Sequence, residues 1–305
     1  MKQYSYMFLM IGFFILMLCF PNETFAGASS GLLLWFQTIL PTLLPFIILS
    51  NLLIHTNCVD YVSRILRPII QRLFCVSDNA CYAVLIGFLC GYPMGAKVID
   101  DLITTNRISK NEGRYLLSFC NNTSPMFIIS FVVIQNLKNE SLLLITLFIL
   151  LISPFLCSLV FRKFYGIKKM FKNHYQTPKK QIHFNFNIFD TCIMNGFETI
   201  TKVGGYIILF SILFRLCSRL PIDWFLPALE ISNGIPWIMG FAQPLSIIYP
   251  LILALTSFGG FCAAAQTYSM IQNSGLSIFP YIIQKLITAM VTSLLAILYI
   301  QFIHQ

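Results

Sequence analysis

Long uncharged runs set the limits on what this chain can fold into. Residues 31–54 and 141–161 contain no Asp, Glu, Lys or Arg, and a helix crossing a hydrocarbon core about 30 Å thick takes roughly 20 such residues. A transmembrane β-barrel would instead show short strands of alternating polarity. Composition extends the argument to the whole chain: 57% of residues are hydrophobic, 10% are charged and the mean hydropathy is +0.77, where a soluble domain is roughly a quarter charged. The fold class is therefore an all-α polytopic membrane protein, and 305 residues leave room for roughly six to eight crossings.

Residues 1–28 read as an N-terminal transmembrane helix, with Pro21 and the small run Ala26-Gly27-Ala28 also suiting a signal segment. Residues 29–161 read as a first repeat, 162–198 as a basic cytoplasmic linker plus an interfacial segment, and 199–305 as a second repeat. The first repeat opens with a crossing at 31–54, where Pro41 and Pro45 predict a kink. Residues 80–90 are apolar but too few to cross before Gly91-Tyr92-Pro93-Met94-Gly95 breaks the helix, which predicts a re-entrant hairpin with its tip turned toward protein. Residues 221–240, interrupted by Pro221, Pro227, Gly234 and Pro236, predict a second hairpin. With crossings at 115–137, 141–161, 199–220, 245–270 and 278–303, the chain has about seven transmembrane helices and two re-entrant hairpins. With the N-terminus inside, every Lys and Arg except Lys138, Arg215 and Arg219 falls on the inner side, Lys97, Lys202 and Lys285 included, as the positive-inside rule requires.

Each half after the first helix then holds a crossing, a hairpin and two crossings. Three is odd, so the two units are inverted repeats, and paired broken segments in such units point to a transporter site near the bilayer midplane. The net charge of +9 reads as loop orientation, with no call for nucleic acid. The partner it implies is the lipid bilayer, and oligomerisation stays open. Ten cysteines are scattered singly and four histidines do not cluster, so neither a metal nor another cofactor is expected. No H-E-x-x-H and no paired intramembrane Asp is present, so an enzyme is not expected.

Four polar interruptions inside apolar segments supply the candidate substrate-binding residues. They are Gly91, Tyr92, Pro93, Gly95 and Lys97; Asn121, Asn122 and Thr123; Ser232, Asn233 and Gly234; and Ser257, Gly259, Gly260 and Gln266. Unwound tips can offer oriented N–H and C=O groups to a solute, and Asn side chains donate and accept at once. The competing reading is helix-packing glue, which uses the same residue types. Lys97 would favour an anionic substrate if it faces a cavity, or else it snorkels to headgroups. Glu230 is the candidate coupling-ion residue, for a proton or sodium ion, or else it caps the hairpin.

The order Gly-Tyr-Pro-Met-Gly-Ala-Lys (from Gly91), Ile-Ser-Lys-x-Glu (from Ile108) and Leu-Leu-Ser-Phe-Cys-Asn-Asn (from Leu116) resembles the YlbJ-type sporulation integral membrane proteins, within the wider nucleoside-recognition or gate-domain group. Gly-Gly-Tyr-Ile-Ile-Leu-Phe (from Gly204), Leu-Glu-Ile-Ser-Asn-Gly (from Leu229) and Ser-Phe-Gly-Gly (from Ser257) continue the likeness. The resemblance implies an endospore-forming bacterium, a bacterial cell membrane location, specifically a mother-cell-derived forespore membrane, and a fold similar to concentrative nucleoside transporters. It also implies a small organic anion, dipicolinate, as the transported solute. A nucleoside transporter and a membrane scaffold for spore maturation are the alternatives. The hairpin reading has a direct test: impermeant labelling of single cysteines at Thr105 and Arg64 should modify both from the same membrane face, and opposite faces would make residues 78–104 a true span.

Overall fold

The computed structural model describes residues 2–56, 58–167 and 186–303. Fourteen α-helices follow in order among them, with short π and 3-10 turns between some. Six stretches among the described residues are long and apolar enough to cross a membrane: Pro21–Leu53, Lys110–Leu137, Glu140–Phe164, Phe186–Cys217, Leu245–Met270 and Ile278–Phe302. Helix α1 (Lys2–Cys19) precedes them.

The first long span joins α2 (Pro21–Leu34) to α3 (Leu40–His55) through a π-helical turn, Trp35–Ile39. This differs from a break at residues 21–28. Pro21 sits in the first turn of α2, where its missing N–H costs nothing. The small run packs rather than ends the helix. A Cβ on Gly27 would lie 2.7 Å from the Ile212 Cα, and one on Gly31 would lie 2.8 Å from the Ser211 Oγ. Both partners belong to α10 (Phe186–Cys217), and close backbone approach through small residues is how helices associate in lipid. The two prolines of α3 are accommodated by the π turn, in which the Leu40 N–H reaches back to the Trp35 carbonyl. Wider turns of this kind recur at functional sites.

Helix α4 (Cys58–Phe74) turns through 91° into α5 (Asp78–Leu89). Asp78, in the first turn of α5, holds the corner by an ion pair of 2.9 Å to Arg67 and a hydrogen bond from Gln71. Helices α5 and α6 (Met94–Thr104) rise only about 18 Å and about 16 Å at 1.5 Å per residue, short of the roughly 30 Å core. They form the first dip. The next span is α7 (Lys110–Cys120), an unwound stretch at Asn121–Ser124, the single turn α8 (Pro125–Phe127) and a π-helical run Ile128–Leu137. Pro125 explains why the helix stops here: the residues before a proline are pushed out of helical conformation, while the proline itself opens the next helix. Helix α9 (Leu143–Phe164) completes the first unit.

In the second unit α10 is one helix of 32 residues. Its N-terminal part covers residues 186–198, which the sequence suggested as an interfacial segment; residues 168–185 of the linker lie outside the described residues. The second dip has a single helical limb, α11 (Ile231–Met239), entered through turns and the 3-10 turn Leu226–Ala228. The final elements are α12 (Leu245–Phe258), α13 (Gly260–Met270) and α14 (Ile278–Ile303). The α12–α13 span is broken at Gly259, whose φ of 82° ends α12 in a left-handed cap. Crossing, short dip, broken crossing and crossing thus recur in both halves. Among the described residues, packing of α2 against α10, the opening spans of the two units, is the most extensive helix–helix contact.

The first dip and the α7 break are held together by absence of side chain. A Cβ on Gly87 would fall 1.7 Å from the Cys120 carbonyl oxygen, and one on Gly95 would fall 2.7 Å from the same atom. Gly87→Ala should therefore force two backbones apart, destabilising the protein by about 1–3 kcal/mol or more. Thermal unfolding of the detergent-purified variant checks this, and an unchanged midpoint would contradict the packing described.

Candidate functional site

Unwound backbone at membrane depth needs partners from protein, and the two units meet this need in the same way. In the first, the Tyr92 N–H at the dip's tip donates to the Asn122 carbonyl at 2.7 Å; in the second, the Cys262 N–H just past the break donates to the Leu229 carbonyl at the dip's tip at 2.9 Å. Glycines with positive φ stand at both contacts, Gly91 at 76° and Gly260 at 80°. A Cβ on Gly91 would lie 2.6 Å from the Ser124 nitrogen, and one on Gly260 would lie 3.0 Å from the Ala228 carbonyl oxygen.

The two breaks then touch each other. The Thr123 hydroxyl donates to the Thr256 carbonyl at 2.6 Å, and the Tyr92 ring covers Gly259, 3.2 Å from where a Cβ would stand. Asn121 is the main polar tie. Its Oδ1 accepts from the Ala96 N–H at 3.2 Å, and its Nδ2 donates to the Thr267 Oγ1 at 2.8 Å and the Tyr281 hydroxyl at 3.0 Å. One side chain thereby joins α6, α13 and α14.

A small cavity of about 30 Å³ lies where the dips and breaks converge. Six of the residues singled out from sequence line it: Tyr92, Thr123, Glu230, Ser232, Gly259 and Gln266. Its apolar wall comes from Ile39 and Leu43 of the first span and Val203 and Ile207 of α10. These were not anticipated, because an apolar residue on an apolar span carries no local signal of what it faces; the prolines after the π turn were the available clue.

Glu230 is 1% exposed. Its Oε1 accepts from the Ser232 N–H at 3.0 Å and its Oε2 from the Asn233 N–H and Nδ2, each at 2.8 Å, so it caps α11. The cap sits in the cavity wall rather than at the outer surface. Asn233 extends the arrangement by donating to the Ser211 Oγ of α10 at 2.7 Å. On the far wall the Gln266 Nε2 donates to the Cys262 Sγ at 3.3 Å, while its Oε1 is buried without a partner. A buried acceptor left open is costly unless something donates to it.

The remaining candidates pack around the cavity without lining it. Gly91, Gly95, Gly234 and Gly260 make close backbone contacts, Pro93 sits at the dip's tip, Ser257 is buried in the last turn of α12, and Asn121 and Asn122 serve as ties. Lys97 is half-buried on α6 and does not reach the cavity lining; its charge acts on Asp101 and Glu198. The cavity thus has a carboxylate in its wall and no cation. Lys285, which the sequence reading assigned to the inner basic flank, is instead 2% exposed within α14, its Nζ donating to the Asn122 Oδ1 at 3.1 Å. Asn121→Ala removes three hydrogen bonds at about 1 kcal/mol each and should lower stability by roughly 2–4 kcal/mol, read as a fall in the midpoint of thermal unfolding. An unaltered midpoint would mean that the tie is not structural.

Residues 36–140 match the family model described as Gate, nucleoside recognition. That stretch runs from the π turn of the first span to the end of the first broken crossing. The chain is also 27% identical over 312 aligned residues, covering 88% of this chain and 75% of the relative, to the sporulation integral membrane protein YlbJ of Bacillus subtilis (strain 168). No solved structure matches the chain. The chain is an integral membrane protein that matches the Gate nucleoside-recognition model over residues 36–140 and is similar over most of its length to YlbJ.

Proposed function

We propose that this protein is a sporulation-associated transporter that moves a small organic anion, dipicolinate, across a forespore membrane by alternating access. The observation that carries the reading is the cavity between the two breaks, polar in part and lined by residues of both units. Inverted units that meet at unwound segments are the architecture in which rocking of one unit against the other exposes a fixed site to each side in turn. The Gln266 Nε2, which gives one of its two protons to Cys262, has the second for the solute, and Tyr92 offers a ring face. No covalent step is required.

Charge then dictates coupling. A dicarboxylate beside ionised Glu230 would place like charges together in a low-dielectric site, so the anion enters with Glu230 neutralised by a bound proton or sodium ion. A nucleoside is the second reading, favoured by the same carboxylate: a neutral polyhydroxylated solute meets Glu230 as an acceptor and needs no counter-charge. A scaffold would use the polar motifs for packing alone.

Uptake of radiolabelled dipicolinate and of a nucleoside into proteoliposomes separates these readings. We expect saturable dipicolinate uptake driven by a proton or sodium gradient, and Glu230→Gln should retain dipicolinate binding while losing dependence on that gradient. Gln266→Ala should weaken uptake by about tenfold, the loss of a hydrogen bond in a desolvated site. Uptake of the nucleoside alone would overturn the anion, and uptake of neither by folded protein would overturn transport.

A further inference from the structure

Helix α14 carries a file of buried polar residues that the cavity does not use. Tyr281, Gln284, Lys285, Thr288 and Thr292 recur at helical spacing and all are buried, forming one polar stripe on an otherwise apolar span. The stripe begins in a small inner crevice of about 30 Å³ whose lining includes Arg114, Tyr165, Ser277, Tyr281 and Gln284, with the Gln284 Nε2 donating to the Tyr165 hydroxyl at 2.6 Å. It passes Lys285, which holds the Asn122 side chain. Asn122 is the neighbour of Thr123, and Thr123 lines the central cavity. Lys285 therefore stands between the two spaces.

The lysine is underused where it sits. An ammonium has three donors, and one is accepted, by the Asn122 Oδ1. Among the described residues no carboxylate forms an ion pair with it, and the ionisable side chain of a packed neighbour that acts on it is the Cys157 thiol of α9. Helix glue needs no charge, since Ser and Thr serve that purpose in lipid, whereas an intramembrane cation without a counter-ion is expensive and marks a pathway.

We infer that Lys285 is a carboxylate-binding site, a station for the transported anion between the central cavity and the inner crevice, and that Asn122 is the ligand it exchanges for that anion. The inference rests on the transport of a small anion proposed above. It supplies what the central cavity lacks: Lys285 and, at the crevice, Arg114 are the positive charges on the inner route, a role the sequence had suggested for Lys97.

The test uses Lys285→Met and Lys285→Arg in the full chain, with dipicolinate and its uncharged diamide as probes. Methionine fills the same space without a charge and removes the cost of holding an ammonium inside the membrane, so this variant should fold. For Lys285→Met we expect the dipicolinate KM and the Kd from titration calorimetry to rise about 10- to 100-fold, the worth of a hydrogen bond to a charged group. Diamide binding should be unchanged, and Lys285→Arg should restore most of the affinity. Asn122→Ala, which frees the ammonium, should lower the dipicolinate Kd severalfold. Unchanged dipicolinate KM and Kd in folded Lys285→Met would overturn the assignment of Lys285 while leaving transport standing. Absence of both uptake and binding in the unmodified protein would overturn the two together.

Discussion

Everything in this protein depends on how unwound backbone is satisfied away from water. Peptide groups at membrane depth have no solvent to bond to, so each broken span can persist only with another segment laid against it. The dips provide that segment. Tyr92 to Asn122 and Cys262 to Leu229 are the same solution applied once in each unit, and the glycines at Gly91 and Gly260 are needed because a side chain at either would collide with the backbone it serves. The breaks and the dips are thus parts of one device.

That device also makes the space between the units. Two breaks brought together leave a gap that neither fills, and the opening spans close it from the side, with Ile39 and Leu43 on one wall and Val203 and Ile207 on the other. Trp35 fixes the walls relative to each other, its Nε1 donating to the Ile200 carbonyl at 2.9 Å while its ring lies over Gly204. Polar groups then divide into those that hold the breaks, such as Asn121, and those left facing the cavity, such as Gln266. The division is one of geometry, since both are carboxamides with the same bonding capacity.

Much of this was legible in the chain. The Gly-Tyr-Pro-Met-Gly tip, the Asn-Asn-Thr-Ser-Pro stretch and the Gly-Gly pair stood out because Gly, Pro and Asn interrupt apolar helices for local steric reasons, and the structure unwinds at each of them. What was not legible depends on which way a residue faces. Lys97 and Lys285 both fall at the inner flank by the sequence reading; α6 places Lys97 where its charge acts on Asp101 and Glu198, and α14 carries Lys285 into the bundle, a distinction set by the packing of other helices. Ala26-Gly27-Ala28 also suited a signal segment for a similar reason, because small residues fit a protease site and a tight helix crossing equally. The Ser109-x-x-Glu112 spacing looks like a capping box, yet Ser109 caps α7 at 3.1 Å while the Glu112 carboxylate accepts from the Ser77 N–H at 2.7 Å, a partner 35 residues away.

The central claim is that the cavity between the breaks opens to each side of the membrane in turn. Cys262 lines it and is 2% exposed, so a variant keeping this cysteine and replacing the other nine offers a direct reading. An impermeant thiol reagent should modify Cys262 when added from either face of the membrane, and dipicolinate should slow both reactions. Modification from one face alone, or from neither, would contradict the account.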